Sequence, residues 1–369
     1  MNYNKVVIPY WRTNFSNGES DAIVAAIQGE HVSQGPIVAE FERSLAAYLK
    51  VPYVVATSSG STALLMSCIA AGVVPGDEVI VPNRTWVATA HAPFLLGAKV
   101  RLVDVEIDRP ILNADLIERV INEKTRAIMP VHMCGRASDM ENINRIARRY
   151  NLKVIEDAAQ ALGSKNSIGF LGTQSDMGCF SLSVAKIIST GQGGFIATSN
   201  DSIYRKLIAI RTQGVGDIIN ATWDQPGLNF RFTDILAAIG IVQLKLLTER
   251  IEKIKLIYKI YEEELNDLSY IKIIKVDVNA GEIPIYIEIL CESRLELIEF
   301  LLNEGIQCRP FYPDLNYAKY LMNDDNFPNS RPFGMNGVYL PSGPGQSIEN
   351  IYTVVKAIKK YGDICKSLR

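Results

Sequence analysis

The sequence is poor in the residues that build disulfide frameworks and zinc sites. Six cysteines are spread over 369 residues without a CxxC pair, and only three histidines are present. Disulfide-rich domains have a far higher cysteine density, and structural zinc sites need cysteine and histidine ligands at short, regular spacing. The cysteines are therefore expected to be reduced thiols, and the protein is not expected to build a metal site.

Long apolar runs and an excess of charge of one sign are also missing. No uninterrupted apolar stretch reaches the length of a membrane span, and the N-terminal residues lack the apolar core of a signal peptide. The 38 basic residues nearly balance the 40 acidic ones, which leaves a formal net charge of -2. These properties favour a cytoplasmic protein with a small-molecule ligand over one that binds nucleic acid or a membrane.

The composition is that of an ordinary globular protein, with 48% hydrophobic and 21% charged residues. Between about residues 50 and 200, short apolar runs alternate with amphipathic segments, which predicts an α/β domain with a mainly parallel sheet. The predicted strands are 53–56, 78–81, 100–105, 127–131, 153–155 and 194–197. The predicted helices include 61–71, 114–121 and 139–150.

From about residue 239 the pattern changes to that of a smaller α+β domain. Its predicted elements are a long helix at 241–266, strands at 271–276 and 285–289, a helix at 294–303, an extended segment at 307–311 and a final helix at 348–361. The stretch 316–345 is rich in turn residues and is predicted to be a surface loop. The chain is therefore divided into a large α/β domain, 1–240, and a small C-terminal domain, 241–369.

Two segments carry residues that suggest covalent chemistry. In VIEDAAQALGS, residues 154–164, Asp157 and Gln160 follow a buried-looking strand, at the edge where open α/β sheets bind ligands. Asp157 could equally be a helix cap. In CFSLSVAKIISTGQGGF, residues 179–195, Lys186 lies among apolar and small residues. Such surroundings would lower its pKa and free its amine to attack an aldehyde, although an isolated lysine is more often a surface residue.

A third segment, ATSSGSTALLMS at residues 56–67, has the pattern of a strand, a turn and a helix start. The backbone N–H groups of Gly60, Ser61 and Thr62 would be free to bind an anion, which predicts a phosphate site. A plain turn with hydroxyl caps is the alternative. No GK[ST] sequence follows the turn, and this disfavours a nucleoside triphosphate.

Taken together, these segments resemble the sugar aminotransferases of the DegT/DnrJ/StrS type, a branch of the fold type I pyridoxal-phosphate enzymes. The likeness runs from SQGPIVAEFE at 33–42 to LPSGPG at 340–345, and FSLSVAKIISTGQGG keeps the spacing of the family's lysine motif. The resemblance implies an aspartate aminotransferase-like fold and a homodimer with shared active sites. It also implies pyridoxal 5′-phosphate as cofactor, with pyridoxamine 5′-phosphate as its intermediate form.

The resemblance assigns roles at the reactive end of the cofactor. Lys186 would hold the cofactor as a Schiff base and then move the proton during amino transfer. Asp157 would keep the pyridine nitrogen protonated, and Gln160 would bond the ring hydroxyl. Two nearby positions depart from the commonest family pattern, because Gln192 replaces a glutamate and Gln213 replaces a histidine. Both changes exchange a titratable side chain for a neutral amide.

Further roles are implied around the rest of the cofactor. Ser181 would join Ser61 and Thr62 at the phosphate. Trp86, in VPNRTWVATAH, would stack on the cofactor, with a core tryptophan as the alternative. Asn229, in GLNFRFTDILAAIG, would reach the phosphate in the neighbouring subunit.

The resemblance points to L-glutamate as amino donor and to a nucleotide-linked 4-keto-6-deoxy sugar as acceptor. RPFYP, within residues 305–321, is similar to the branch that acts on GDP-4-keto-6-deoxymannose. Arg309 and Tyr312 are the candidate substrate contacts, although Arg309 could simply face solvent. A dTDP- or UDP-linked sugar, a small phosphorylated ketone and an inosose stay open as acceptors. A catalytically inactive, cofactor-binding regulator is the alternative from another class.

Overall fold

Among the residues that the structure describes, two helices precede the first strand. The structure, a computed structural model, describes residues 6–215, 222, 225–321 and 325–367. Helix α1 spans Asn17–Gln28 and begins at a capping box formed by Ser16 and Glu19. Helix α2 spans Pro36–Leu49, and its first residue is a proline whose fixed φ suits the first turn of a helix.

Seven strands form a large sheet in the spatial order β1-β7-β6-β5-β4-β2-β3. They are β1 Tyr53–Thr57, β2 Glu78–Pro82, β3 Lys99–Val103, β4 Thr125–Ile128, β5 Lys153–Asp157, β6 Met177–Ser181 and β7 Gly194–Thr198. Neighbouring strands from β3 to β6 are parallel, whereas β7 runs antiparallel to both β1 and β6. The prediction of an α/β fold with a mainly parallel central sheet is confirmed.

Strand β6 was absent from the predicted strands because Gly178 and Ser181 lower its β propensity. The glycine is required by a close backbone approach, since a Cβ at Gly178 would lie 1.8 Å from the carbonyl oxygen of Gly172. The predicted strands 100–105 and 127–131 also extend beyond β3 and β4 at their C-terminal ends.

Helices cover the large sheet. They are α3 Gly60–Ala70, α4 Ala88–Leu95, α5 Met140–Tyr150 and α6 Asp201–Arg211. Helix α5 begins where the Asp139 side chain accepts a hydrogen bond from the N–H of Asn142, and it buries one apolar stripe. The predicted helix 114–121 is instead a 3-10 helix, Ala114–Arg119, whose buried residues Ala114 and Ile117 are three positions apart, as one 3-10 turn requires.

A second, four-stranded sheet lies in the C-terminal part, with strand order β10-β11-β9-β8 and antiparallel pairing throughout. Its strands are β8 Lys272–Ile273, β9 Ile287–Leu290, β10 Arg309–Pro310 and β11 Gly337–Leu340. The helices of this part are α7 Asp234–Lys245, α8 Leu247–Leu265, α9 Arg294–Asn303, α10 Ser330–Asn336 and α11 Ile348–Ser367. Helices α1 and α2 pack against α7.

The predicted loop 316–345 is wrong over much of its described length. It contains helix α10 and strand β11, which is central in the small sheet and fully buried. The four apolar or small residues of β11 are flanked by glycine, proline and asparagine, which obscure so short a strand. Residues 322–324, also within the predicted loop, lie outside the described residues.

The predicted single helix 241–266 is also wrong, because it is divided at Leu246 between α7 and α8. In a straight helix, residues seven apart are separated by about 10 Å along the axis. The break allows the buried Gln243 and Arg250 to hydrogen-bond each other. The boundary proposed after residue 240 falls within α7, and the division into two domains stays a prediction.

The carboxyl ends of β2, β5 and β6 meet at one edge of the large sheet. Trp86 follows β2, Asp157 is the last residue of β5, and Ser181 is the last residue of β6. Three separated segments of the sequence thus meet at one cavity. Ligands bind at this edge in open α/β sheets. Within the described ranges, no helix is both long and apolar enough to cross a membrane.

Substitution of Gly194 by alanine should destabilise the fold at this edge. A Cβ at Gly194 would lie 2.5 Å from the carbonyl group of Ser59 and 2.6 Å from the nitrogen of Gly60. Backbone must therefore move, and we expect Gly194→Ala to lower the free energy of unfolding by about 1–3 kcal/mol. Urea denaturation measures the loss. Gly18→Ala is the control, because the atom nearest to a Cβ there is a side-chain carbon 3.3 Å away. If Gly194→Ala and Gly18→Ala have the same free energy of unfolding, the clash expected at Gly194 does not occur.

Candidate active site

A cavity of about 620 Å³ opens at the carboxyl edge of the large sheet and extends toward the small sheet. Most of the predicted site residues line it, namely Gly60, Ser61, Trp86, Asp157, Gln160, Ser181, Lys186, Arg309 and Tyr312. Thr62 and Asn229 are not among the lining residues. The structure thus brings together nine residues that are dispersed over 253 positions of the sequence, from Gly60 to Tyr312.

Lys186 lies in the loop between β6 and β7, with its side chain at the cavity wall. Desolvation lowers the pKa of Lys186 to about 8, and the Asp157 carboxylate opposes this shift. About a tenth of the amine is then unprotonated at pH 7, a far larger share than for a lysine in water. The larger unprotonated share makes the Lys186 amine better suited to attack an aldehyde than that of an ordinary surface lysine.

The backbone of the lysine loop is fixed at both of its ends and just before Lys186. The N–H of Leu182 donates to the carbonyl oxygen of Gly193 at 2.9 Å, which closes the loop. The carbonyl oxygen of Val184 accepts hydrogen bonds from Thr13 Oγ1 at 2.7 Å and Trp11 Nε1 at 3.1 Å.

A further hydrogen bond to this loop comes from the C-terminal part of the chain. The Tyr286 hydroxyl donates to the carbonyl oxygen of Ala185 at 2.5 Å, and its ring centroid lies 6.0 Å from Lys186 Nζ. Tyr286, like Trp11 and Thr13, was missed by the sequence reasoning. Each of these contacts joins residues at least 100 positions apart, so no local sequence pattern predicts them.

Asp157 ends β5 and is buried at the inner side of the cavity. Its two carboxylate oxygens accept hydrogen bonds from Thr89 Oγ1 at 2.7 Å and from the N–H of Ala159 at 3.1 Å. Desolvation raises the pKa of Asp157, and these two hydrogen bonds oppose the shift. The carboxylate is thereby held in one orientation and is ready to pair with a positively charged group.

Gln160 has a fixed amide orientation. Its Oε1 accepts hydrogen bonds from the backbone N–H of Cys134 at 2.9 Å and from the Cys134 thiol at 3.3 Å. The Gln160 NH₂ group therefore remains as the donor available to the cavity. Cys134 has a φ of 52°, in the left-handed region, which aims its N–H group at Gln160. No sequence signal pointed to Cys134.

The N-terminus of α3 forms another part of the wall. Its first residues, Gly60 and Ser61, carry N–H groups without intrahelical acceptors, and Ser181 at the end of β6 lies beside them. Thr62 contributes differently, because its N–H donates to Ser59 Oγ at 3.1 Å and its hydroxyl accepts from the N–H of Ser59. Thr62 thus closes the helix cap, whereas Gly60, Ser61 and Ser181 line the cavity, where their donors could bind an anion.

Trp86 and Tyr312 form an aromatic wall. The Trp86 side chain is 55% exposed, which excludes the alternative of a core tryptophan. The two rings meet edge to face with their centroids 5.5 Å apart. Arg309 lies near them at the mouth of the cavity, with its guanidinium carbon 3.7 Å from the centroid of the Tyr10 ring. Tyr10 is another lining residue that sequence reasoning missed.

His132 and Asn229 both lie outside the cavity lining. His132 is buried, with Nδ1 accepting from the N–H of Ser138, so Nε2 carries the proton and donates to Glu156 at 2.8 Å. It has a structural position away from the cavity lining. Asn229 is exposed outside the cavity, where its Oδ1 accepts a 3.4 Å hydrogen bond from the N–H of Arg231. Gln192 lines the cavity, whereas Gln213 is exposed elsewhere.

The cavity fits pyridoxal 5′-phosphate. It presents a lysine of lowered pKa for the aldehyde, a buried carboxylate for the pyridine nitrogen and an amide donor for the ring hydroxyl. A helix N-terminus at the other end suits the phosphate. Fold and cavity together define a pyridoxal-phosphate enzyme of fold type I.

Comparisons with known proteins identify the branch of this class. Residues 14–359 match the DegT/DnrJ/EryC1/StrS aminotransferase family. The GDP-perosamine synthase of Caulobacter vibrioides is 34% identical over 352 residues, covering 92% of this chain and 94% of the relative. The GDP-perosamine synthase of Escherichia coli O157:H7 is 32% identical over 359 residues, covering 96% and 98%.

A solved structure gives the same result. A DegT DnrJ EryC1 StrS aminotransferase from Brucella abortus superimposes with a TM-score of 0.88 at 29% identity, covering 94% of this chain and 95% of the other. The chain belongs to the DegT/DnrJ/EryC1/StrS aminotransferase family. It is a pyridoxal-phosphate-dependent aminotransferase.

The low pKa of Lys186 can be measured in the cofactor-free enzyme. Because only the free amine reacts, we expect acetylation of Lys186 by acetic anhydride to increase with pH with a midpoint near 8. Asp157→Asn should move the midpoint lower, because it removes a carboxylate that stabilises the ammonium form. Mass spectrometry of the labelled peptide gives both values. A midpoint near the ordinary 10.5 would contradict the described surroundings of Lys186.

Proposed function

We propose that this aminotransferase moves an amino group from L-glutamate to a nucleotide-linked 4-keto-6-deoxy sugar, with a GDP-linked sugar as the first candidate. The observation that carries the proposal is the shape and lining of one continuous cavity. The cavity is lined by Lys186, by the Trp86 and Tyr312 rings and by the exposed Arg309, whose guanidinium lies over the Tyr10 ring. An amine-handling centre and an anion-binding entrance thus belong to the same site.

Lys186 performs the proton transfers. Bound pyridoxal phosphate supplies an electron sink that stabilises negative charge at the reacting carbon. Lys186 Nζ would hold the cofactor through its aldehyde and, once free, would take the proton from the glutamate Cα. In the second half of the reaction it would deliver a proton to the carbon that receives the new amine. A pKa of about 8 suits both directions near neutral pH.

Asp157 and Gln160 hold the ring in place. The Asp157 carboxylate keeps a proton on the pyridine nitrogen, and Thr89 fixes the direction from which it acts. Gln160 donates its NH₂ group to the ring hydroxyl, because Cys134 occupies its Oε1. The N–H groups at the start of α3 and the Ser181 hydroxyl bind the phosphate, with Thr62 acting through the cap.

Two observations support the proposed acceptor: the positive charge of Arg309 and the substrates named for similar proteins. Arg309 has no ion-pair partner among the described residues, so its guanidinium is available to a diphosphate, which it can bind in a bidentate manner. Both curated relatives described above are GDP-perosamine synthases, which supports a GDP-linked sugar. A small phosphorylated ketone or an inosose is the second candidate. Family membership and the retained Lys186 disfavour an inactive regulator.

Each active site is proposed to be shared between two copies of the chain. Asn229 is exposed and does not line the cavity of its own chain. The family resemblance places this asparagine at the phosphate in the neighbouring subunit. A symmetric dimer would bring each Asn229 to the partner's cavity.

Purified holoenzyme should convert L-glutamate to 2-oxoglutarate, with a shift in the absorbance of the bound cofactor. Adding GDP-4-keto-6-deoxymannose should reverse the shift and produce an amino sugar nucleotide, detected by mass spectrometry. Lys186→Ala should abolish turnover, because it removes the proton carrier, whereas Lys206→Ala on the exposed face of α6 should not. The proposed acceptor would be contradicted if the GDP-linked sugar fails to reverse the absorbance shift while another ketone reverses it. The other ketones to test are dTDP- and UDP-linked keto sugars, phosphorylated ketones and an inosose.

Shared active sites predict complementation between inactive variants. In a dimer of one Lys186→Ala chain and one Asn229→Ala chain, one site carries both defects and the other carries none. Random pairing in equal amounts should therefore restore about a quarter of the wild-type activity.

The matched control pairs Lys186→Ala with Asp157→Asn. Both residues line the same chain's cavity, so every site of the mixed dimer keeps one defect. Recovery in this control, or none with Asn229→Ala, would contradict sharing through Asn229. Activity is followed by release of 2-oxoglutarate from the co-expressed, purified mixtures.

A further inference from the structure

Arg84 is fully buried beside the active-site cavity without lining it. It follows β2 directly in the loop that carries Trp86 two residues later. Its Nη1 donates to the carbonyl oxygen of Tyr312 at 2.7 Å and to Asp314 Oδ1 at 2.8 Å. One guanidinium nitrogen thus connects the loop after β2 with the segment that follows β10.

The same guanidinium packs against two aromatic rings of that segment. Its central carbon lies 4.8 Å from the centroid of the Phe311 ring and 4.7 Å from that of Tyr312. Arg84 therefore contacts Tyr312 through both its backbone and its ring. Movement of Arg84 would displace the Tyr312 side of the aromatic wall.

The other two nitrogens of the Arg84 guanidinium argue that Arg84 does more than fill space in the core. Nε and Nη2 are buried and have no hydrogen-bond partner in the described part of the chain. Burying a guanidinium with three unused N–H groups, one on Nε and two on Nη2, is costly, and an apolar side chain commonly fills such a position at lower cost. The retained contacts all lead to the segment Phe311–Asp314.

The neighbouring Asn83 secures the next part of the same segment independently. Its carbonyl oxygen accepts from the N–H of Leu315, and its Oδ1 accepts from the N–H of Asn316, both at 2.9 Å. Loss of Arg84 would therefore leave residues 315–316 attached and release mainly the residues before them. Among its described contacts, Arg84 touches neither Lys186 nor Asp157.

We infer that Arg84 is a positioning residue for the amino acceptor: it holds Tyr312 against Trp86 and so sets the wall that the ketone substrate meets. This inference rests on the proposed function, because it requires the acceptor to enter the cavity beside Tyr312. None of the described contacts of Arg84 reaches Lys186, so we expect the chemistry at Lys186 to be affected less than the binding of the acceptor. The two halves of the reaction should therefore respond differently to a change at Arg84.

Rapid mixing of the holoenzyme measures each half-reaction through the absorbance of the bound cofactor. The first half uses L-glutamate, and the second uses GDP-4-keto-6-deoxymannose added to the amino form of the enzyme. For Arg84→Met, the keto-sugar concentration that gives half the maximal rate should rise about tenfold or more. The maximal rate of that half, and the whole glutamate half, should stay within about twofold of wild type.

Matched variants separate positioning from folding. Arg84→Met/Asp314→Leu replaces the whole ion pair with apolar groups, so no charge is left buried alone, and it should show the same tenfold effect. Asp314→Asn keeps an acceptor for Nη1 and should change the keto-sugar dependence far less. Arg211→Met removes another buried arginine, which bonds Glu42 and the carbonyl oxygen of Ala56 away from Tyr312, and should leave both halves unchanged.

Hydrogen exchange gives a readout that does not depend on turnover. Peptides covering residues 311–314 should exchange faster in Arg84→Met, while residues 315–321 keep their protection. Equal keto-sugar dependence in wild type and both Arg84 variants would overturn the inference, as would equal losses in both half-reactions. The amino form of the wild-type enzyme should react with the keto sugar. If it reacts with 2-oxoglutarate but not with the keto sugar, both the proposed acceptor and this inference are overturned.

Discussion

Lys186 and Asp157 are two ionisable groups of opposite charge that share one desolvated cavity, and the site depends on the balance between them. Burial moves the lysine pKa down and the aspartate pKa up, so each group is brought closer to its neutral form. Their mutual attraction opposes both shifts. Neither group is tied to the other by a direct ion pair among those described, so both remain available to a ligand.

Buried ion pairs tie the two parts of the chain together around this cavity. Arg136 pairs with Glu288 of β9 and donates to the carbonyl oxygens of Ile274 and Lys275. Arg84 pairs with Asp314 on another side. Such pairs contribute little net stability after desolvation, but a misplaced partner leaves a charge buried alone. They therefore restrict how the small sheet can lie against the edge of the large sheet that lines the cavity.

Much of this arrangement was predictable from the sequence, where a local pattern existed. The alternation of strands and helices predicts the α/β class, and the motifs around Lys186 and Asp157 name residues that the structure brings to one cavity. Strand β11 is missed because it is short and fully buried. The break at Leu246 is missed because Gln243 and Arg250 on either side of it bond Glu19 and the Asn14 carbonyl oxygen, more than 200 residues away. Tyr286 and Cys134 were missed for the same reason, since each acts on a residue far away in the sequence.

The hydrogen bond between Leu182 and Gly193 has a consequence for how the lysine can move. Strands β6 and β7 are antiparallel neighbours, so the loop that carries Lys186 leaves and returns at the same sheet edge. A loop with joined ends has already lost most of its conformational entropy on folding. In the proposed reaction, movement of the Lys186 amine would therefore come mainly from its side-chain torsions. The amine would stay at a high local concentration beside the carbon on which the proposed reaction takes place.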